Sequence, residues 1–177
     1  IIWICVTLSI LIIFINIQNN QLRTDYLTGL YNRRHLDHYL QTRVKSRYPH
    51  LIAGIMIDLD SFKVINDLYG HNNGDQALKD TAQILKNTFR DKDFIARYGG
   101  DEFVVVMEIE EQSELAVMVQ KLRENISRFN LQKSVPYEIH LSIGYDCFVK
   151  ESETSAMTFL QKIDHLMYLD KQKYVHK

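Results

Sequence analysis

Residues 94–107 read FIARYGGDEFVVVM, two apolar runs joined by the polar turn GGDE. The runs are rich in β-branched and aromatic residues, which favour strands, and two adjacent glycines permit a tight reversal of the chain. The stretch therefore predicts a β-hairpin with Asp101 and Glu102 at its turn. Since the strands of a hairpin are antiparallel, we expect antiparallel pairing in the sheet that contains them.

A second apolar run, LIAGIMI at residues 51–57, ends in the acids Asp58 and Asp60. A short continuous apolar run is typical of a buried central strand. Taken alone, either acidic pair is best explained by acids that terminate a strand or fill a turn. Both pairs together favour a functional site, because neighbouring carboxylates repel unless a cation binds between them. Hard oxygen ligands of this kind suit Mg²⁺ bound with substrate phosphates.

Composition places the chain among ordinary globular domains. Its 177 residues are 46% hydrophobic, 24% charged and 11% aromatic, which excludes a disordered tail, a collagen-like repeat and a disulfide-stapled miniprotein. The net charge of −1 gives no support for a nucleic acid partner. Cys5 and Cys147 lie far apart and form no CxxC motif, so neither a zinc site nor a disulfide framework is predicted.

The N-terminus differs from the rest, since residues 1–15 read IIWICVTLSILIIFI and carry no charge. A membrane span needs about 20 apolar residues. We interpret residues 1–17 as the C-terminal end of a transmembrane helix, residues 18–24 as a linker and residues 25–177 as one domain. A buried helix or strand is the alternative for the apolar run. The basic residues that follow favour a domain on the cytoplasmic side of the inner membrane.

The segment after the second strand, DLDSFKVINDLY at residues 58–69, begins like a calcium-binding EF-hand loop. It then fails the pattern, because Lys63 stands where the loop needs glycine and Tyr69 where it needs glutamate. We therefore do not expect a calcium loop.

A phosphate site fits the same segment better. Residues 61–63 open a helix directly after the strand, so their backbone N–H groups and the Lys63 ammonium can bind phosphates. Gly99 and Gly100 lack side chains and would let a ligand approach the hairpin backbone. A Walker A loop is excluded, because the sequence contains no GxxxxGK[ST] motif.

Several segments occur in the order and spacing of one known family. They are DYLTGLYNRR at 25–34, DLDSFKVIND at 58–67, HNNGDQAL at 71–78, RYGGDEF at 97–103 and SIG at 142–144. On these motifs the chain resembles the GGDEF domains, the diguanylate cyclase family, over residues 23–171.

The resemblance implies an α/β (α+β) fold with a central, mainly antiparallel sheet flanked by helices, like the polymerase palm and the nucleotide cyclases. It also implies condensation of two GTP molecules into cyclic di-GMP with release of two pyrophosphates. Mg²⁺ is the implied metal, with Mn²⁺ as the alternative. Asp58, Asp101 and the backbone carbonyl of Leu59 are expected to ligate it, with Glu102 at the metals or near the attacking 3′-hydroxyl. Lys63 joins Asp101 and Glu102 as an implied catalytic residue.

The substrate-binding residues are also implied by the resemblance. Asn66 and Asp75 are expected to read guanine, and an Asp carboxylate can accept the guanine N1–H and N2–H₂ groups, which adenine does not offer. The other implied GTP contacts are Phe62, Lys63, Gly99, Gly100 and Lys171.

The C-terminal segment departs from the family pattern. Tyr174, Val175 and His176 stand in place of Gly, Arg and Asn, so a second phosphate-binding cation is missing from its usual position. Lys173, His176 and Lys177 are the alternatives at that point. The departure supports a second hypothesis, a degenerate module that binds GTP or cyclic di-GMP and regulates a partner without turnover.

Two further expectations concern control. Residues 90–93, RDKD, resemble the family's inhibitory RxxD site, in which Arg90 and Asp93 would bind the product cyclic di-GMP. The product joins two identical nucleotides symmetrically, so two sites must face each other, which predicts a two-fold homodimer.

Overall fold

The computed structural model of the protein describes residues 2–21, 23–45, 51–148 and 155–175. These residues form helices and strands in mixed order. In chain order they are α1 (Ile2–Gln21), β1 (Tyr31–Asn32), α2 (Arg33–Lys45), β2 (Leu51–Leu59), α3 (Phe62–Tyr69), α4 (His71–Thr88), β3 (Phe94–Arg97), β4 (Glu102–Ile109), α5 (Gln112–Leu131), β5 (Leu141–Cys147) and α6 (Ala156–Val175).

The five strands form one sheet in the order β1-β3-β4-β2-β5. Strand β1 pairs parallel with β3, and the other three pairings are antiparallel. The predicted hairpin is β3–β4, although β4 begins at Glu102, so this residue lies at the start of the strand rather than in the turn. The predicted central strand is β2, buried from Ala53 to Leu59. The mainly antiparallel sheet flanked by helices is thus confirmed.

Alternation of side chains along the strands divides the core into two layers. On β2 and β4, odd-numbered residues such as Ile55 and Val105 pack with α4 and α5. Even-numbered residues such as Met56 and Val104 pack with α2 and α6. Helices therefore cover both faces of the sheet, and the ends of β2 and β4 are left as the place where polar side chains can gather.

Helix α6 lies unusually close to β5 at Gly144. A Cβ on this residue would overlap the Ile163 carbonyl and the Met167 backbone N–H, and it would lie 2.7 Å from Met167 Cα. Only glycine permits this contact between strand and helix backbones. The contact determines how α6 crosses the sheet and thereby where its C-terminal half places polar side chains.

Helix α1 covers the apolar N-terminal segment and continues to Gln21, so the predicted linker at 18–24 is helical over its first four residues. Its sequence there contains no glycine or proline to end the helix. Apolar side chains of α1 are exposed, Trp3 by 82%. Within the described part of the chain, no helix has both the length and the apolar character needed to cross a membrane.

Candidate active site

The acidic end of β2 meets the hairpin turn, as the sequence predicts. Asp58 and Glu102 are opposite each other in the β2–β4 register. The backbone N–H of Leu59 donates a 3.0 Å hydrogen bond to the carbonyl oxygen of Asp101. The backbone thus holds Asp58, Asp101 and Glu102 at one edge of the sheet.

Lys171 reaches this acidic group from α6. Its Nζ lies 2.7 Å from Asp58 Oδ1, and Asp58 is buried. Burial by itself lowers the pKa of Lys171, but the hydrogen bond and negative charge of Asp58 outweigh it, so the pKa is raised. The sequence predicted a phosphate-binding lysine here, and the structure places its ammonium against a predicted metal ligand.

The carboxylates of Asp101 and Glu102 carry unfavourable negative charge. Burial and then the charge of Asp58 raise the pKa of Asp101. Burial, followed by the charges of Asp101 and Asp58, raises the pKa of Glu102. Carboxylates thus outnumber the nearby cations Lys171 and Arg97 even before Asp60 is included, and the surplus negative charge favours a further cation.

The donor chemistry of this acidic group fits Mg²⁺, which prefers carboxylate and carbonyl oxygens. Across the residues that the structure describes, no three Asp, Glu, His or Cys side chains are grouped closely enough to hold a metal ion as they stand. The assignment of Asp58, Leu59, Asp101 and Glu102 as ligands therefore stays a prediction.

Asp60 has a structural anchor of its own. Its Oδ1 accepts a 2.6 Å hydrogen bond from Ser142 Oγ, and its backbone N–H donates to the His140 carbonyl. Burial raises its pKa, and the Ser142 hydrogen bond opposes that shift. Asp60 thus ties the loop after β2 to β5.

The two predicted guanine-reading residues lie together between α3 and α4. The side-chain amide of Asn66 covers Gly74, where an added Cβ would overlap it. Asp75 is the next residue and is exposed. The helices can approach so closely because Gly74 has no side chain, which places the Asn66 amide against α4 one residue before Asp75.

The start of α3 has an unusual backbone. Ser61 adopts the left-handed conformation, with φ of 56°, and its side chain does not cap the helix. Phe62 packs against the core, and Lys63 is exposed. Phe62 can therefore contact phosphates only through its backbone, whereas the Lys63 ammonium is open to a ligand.

The two hairpin glycines differ. The Glu102 carboxylate lies against Gly99, and an added Cβ there would overlap it. Gly100 has open space, with nothing within 4 Å of an added Cβ. Only Gly100 therefore offers the free backbone approach that the sequence predicted for both.

An ion pair that the sequence motifs do not predict supports the hairpin from behind. Arg97 donates through Nε and Nη2 to the Gly100 carbonyl, at 3.1 and 2.6 Å, and through Nη1 to Asp25 at 3.2 Å. Burial raises the pKa of Asp25, but hydrogen bonds from Thr28 and Arg97 outweigh it, so the pKa is lowered. Asp25 lies in the motif at 25–34 and Arg97 in the motif at 97–103, but 72 residues separate them, so no local sequence pattern predicts that they pair.

Arg90 and Asp93, the predicted product site, lie together on the far side of the hairpin. Arg90 Nε is 3.2 Å from Asp93 Oδ2, and its Nη2 donates to the Glu108 carbonyl at 3.1 Å. Asp93 is buried and also accepts the Arg90 backbone N–H. A ligand that binds the Arg90 guanidinium must compete with these contacts.

Comparison with known proteins identifies the family. The sequence model of the family described as "Diguanylate cyclase, GGDEF domain" matches residues 22–176. Diguanylate cyclase DosC of Escherichia coli K12 is 28% identical over 167 residues, which are 91% of this chain and 35% of DosC. An uncharacterized membrane protein of Staphylococcus aureus USA300, SAUSA300_0730, is 30% identical over 90% of this chain and 46% of its own length. The chain thus spans about a third to a half of these relatives.

Solved structures give the same result. The coiled coil and GGDEF domain of DgcB from Caulobacter crescentus, in complex with c-di-GMP, superposes with a TM-score of 0.87 at 24% identity, covering 96% of this chain and 91% of that one. A sensory box/GGDEF family protein from Caulobacter crescentus CB15 is 31% identical, with a TM-score of 0.72 over 85% of this chain and 99% of that one. With the family match over residues 22–176, these findings show that the chain belongs to the GGDEF domain family of diguanylate cyclases.

Proposed function

We propose that the chain is an active, Mg²⁺-dependent diguanylate cyclase that condenses two GTP molecules into cyclic di-GMP and releases two pyrophosphates. The observation that carries the proposal is the meeting of Asp58, Asp101 and Glu102 at one edge of the sheet, opposite Lys171. The relative DosC is named a diguanylate cyclase, and the DgcB structure contains c-di-GMP.

In this proposal Asp58, Asp101, Glu102 and the Leu59 carbonyl would hold the metal. When bound, Mg²⁺ supplies charge neutralisation at the α-phosphate and the leaving pyrophosphate and acidifies the attacking 3′-hydroxyl. Lys171, whose ammonium bonds to Asp58 in this structure, would contact a phosphate oxygen of the bound nucleotide. Lys63 and the first N–H groups of α3 bind the remaining phosphate charge.

The surface of α3 and α4 around Asn66 and Asp75 would bind the base. The Asp75 carboxylate accepts hydrogen bonds from guanine N1–H and N2–H₂, and the Asn66 amide can both donate and accept. Gly100 leaves space for the nucleotide beside the hairpin. Adenine offers neither of the two donors, so the site would favour GTP over ATP.

Two such sites must cooperate, because each 3′-hydroxyl attacks the α-phosphate of the other GTP. The arrangement that satisfies both attacks is a homodimer with its two sites facing each other across a two-fold axis. Helix α1 and the segment up to residue 24 would tether each domain and raise the local concentration of its neighbour.

We also propose that α1 attaches the domain to the inner membrane, with the domain on the cytoplasmic side. Apolar side chains cover α1 and are exposed, including Trp3, Ile10 and Phe14. A relative from Staphylococcus aureus is named a membrane protein. No nucleic acid partner is proposed.

The second candidate is a degenerate module that binds nucleotide without turnover. It is favoured by the engagement of Lys171 with Asp58 and by the uncharged Val175 one turn later on α6. Such a module would bind GTP or cyclic di-GMP and act through a partner protein.

One experiment separates the two candidates. The purified chain is incubated with GTP and Mg²⁺ over a series of protein dilutions, and products are identified by mass spectrometry. We expect cyclic di-GMP and pyrophosphate, with specific activity that rises with protein concentration because two chains must meet. ATP serves as the control and should give no cyclic product. Bound GTP without product would establish the degenerate module, and activity independent of dilution would contradict the facing-sites arrangement.

We predict that Arg90→Ala relieves inhibition by cyclic di-GMP and leaves the initial rate unchanged. Arg90 lies beyond the hairpin from the acidic group and would bind a guanine or phosphate of the product. Initial rates are measured against added cyclic di-GMP, with Lys92→Ala, an exposed neighbour at the same cavity, as the control. Equal inhibition of Arg90→Ala and the parent would contradict the product site.

A further inference from the structure

A cavity of about 590 Å³ adjoins the acidic group on its β5 side. It opens between the loop after β2, the C-terminal half of α5, the start of β5 and α6. Its walls are formed by Asp60, Ser61, Arg123, Ile126, Ser127, His140, Leu141 and Lys171. Three of these side chains are basic or can become so, and the one carboxylate, Asp60, is already bonded to Ser142 Oγ.

Arg123 is held at the cavity wall by a buried carboxylate. Its Nη2 lies 3.1 Å from Asp170 Oδ2. Asp170 is itself buried and accepts the backbone N–H of Ile143 at 3.0 Å. The Arg123 side chain is 35% exposed. Among the described residues its guanidinium makes no other hydrogen bond, so further N–H groups remain for a ligand.

Two consecutive residues of α6 place cations at this cavity: Lys171 is one of them, and Asp170 holds the other, Arg123. Asp170 anchors Arg123 from α5, and Lys171 lines the cavity while bonding to Asp58. One turn further along α6 the chain carries the uncharged Val175. Lys173 on α6 pairs with Asp170 at 3.6 Å but is not among the residues that line the cavity, so the second cation at the cavity wall is Arg123 of α5.

We infer that this cavity receives the terminal phosphates of the nucleoside triphosphate, with Arg123 acting beside Lys171 as the second phosphate-binding cation. The inference rests on the proposed function, since it names a further substrate contact of the same site. A guanidinium presents paired N–H groups that match two phosphate oxygens. Ser61, which directly precedes α3, lines the cavity. The cavity therefore adjoins Lys63 and the N-terminus of α3, the other groups proposed to bind phosphate. The pyrophosphate formed on transfer would rest in the same place before release.

The competing explanation is that Arg123 only neutralises Asp170. That role would affect the stability of the domain and all ligands alike, whereas a phosphate contact affects only ligands that carry the terminal phosphates. The two explanations therefore predict different changes in binding affinity, which can be measured without following activity.

The test compares Arg123→Gln and Arg123→Lys with the parent by isothermal titration calorimetry. The ligands are 3′-deoxy-GTP, which lacks the attacking hydroxyl, GMP and inorganic pyrophosphate, each with Mg²⁺. Arg128→Gln is the matched control, because Arg128 is exposed on the same helix and bonds only to Asn125 among the described residues. Thermal unfolding of each variant reports any structural effect.

We expect Arg123→Gln to weaken binding of 3′-deoxy-GTP and of pyrophosphate by about tenfold, the effect of one lost charge-assisted contact. GMP affinity should change less than about twofold. Arg123→Lys should recover part of the loss, and Arg128→Gln should match the parent. Unchanged 3′-deoxy-GTP and pyrophosphate affinity, or an equal loss for GMP, would overturn the inference. A parent that binds pyrophosphate but not 3′-deoxy-GTP would instead refute the proposed function, and a parent that binds neither would refute both.

Discussion

Asp101→Asn is expected to reduce cyclic di-GMP synthesis to about a thousandth of the parent rate or less, because a metal ligand supplies several kcal/mol to the transition state. The amide has the shape of the carboxylate and leaves the backbone bond from Leu59 N–H to the residue 101 carbonyl intact. The loss is therefore one of charge and not of packing. Product is measured by mass spectrometry under saturating GTP and Mg²⁺.

The same variant should be at least as stable as the parent, and this separates a functional residue from a structural one. Burial and the charge of Asp58 raise the pKa of Asp101, so at neutral pH its ionised form opposes folding. The carboxyl binds protons more readily in the folded state, so the disadvantage of the parent disappears as pH falls through the folded-state pKa. Thermal unfolding is measured for both proteins between neutral and acidic pH.

Asp91→Asn is the matched control, because Asp91 is exposed and lies outside the acidic group. It should keep parental activity and stability. Near-normal synthesis by Asp101→Asn would contradict the metal assignment, and a large fall in its melting temperature would show that Asp101 has a structural role.

Gly144→Ala is expected to destabilise the domain by about 1–3 kcal/mol or more, the usual cost of overpacking. The added Cβ would overlap backbone atoms of Ile163 and Met167, which no side-chain rotation can relieve. Helix α6 would have to move away from β5, and Lys171 would move with it. Thermal unfolding should show a lower midpoint by about 3 °C for each kcal/mol, with a loss of activity in the variant that remains folded.

Gly100→Ala is the control for this effect, since nothing lies within 4 Å of its added Cβ and its φ is not positive. Its unfolding midpoint should equal that of the parent. Equal stability of Gly144→Ala and Gly100→Ala would mean that α6 does not depend on the close contact with β5.

Much of the fold follows from local sequence patterns. The apolar run at 51–57 becomes the central strand, because residues Ala53, Ile55 and Ile57 pack in one helix layer and Met56 packs in the other. The runs around GGDE form a hairpin, and amphipathic segments form helices. The motif residues Asp58 and Glu102 come together because β2 and β4 are paired antiparallel strands.

The sequence by itself therefore determined the family, the mainly antiparallel sheet and the acids at one of its edges, since each depends on short-range periodicity or on contiguous motifs. Only the tertiary structure decided which distant side chains meet. Lys171 reaches Asp58 across 113 residues, and Arg123 reaches Asp170 across 47. Both contacts involve residues of α6, which crosses β5 closely at Gly144. Such contacts arise from the packing of whole elements against each other, and the spacing of residues along the chain carries no information about them.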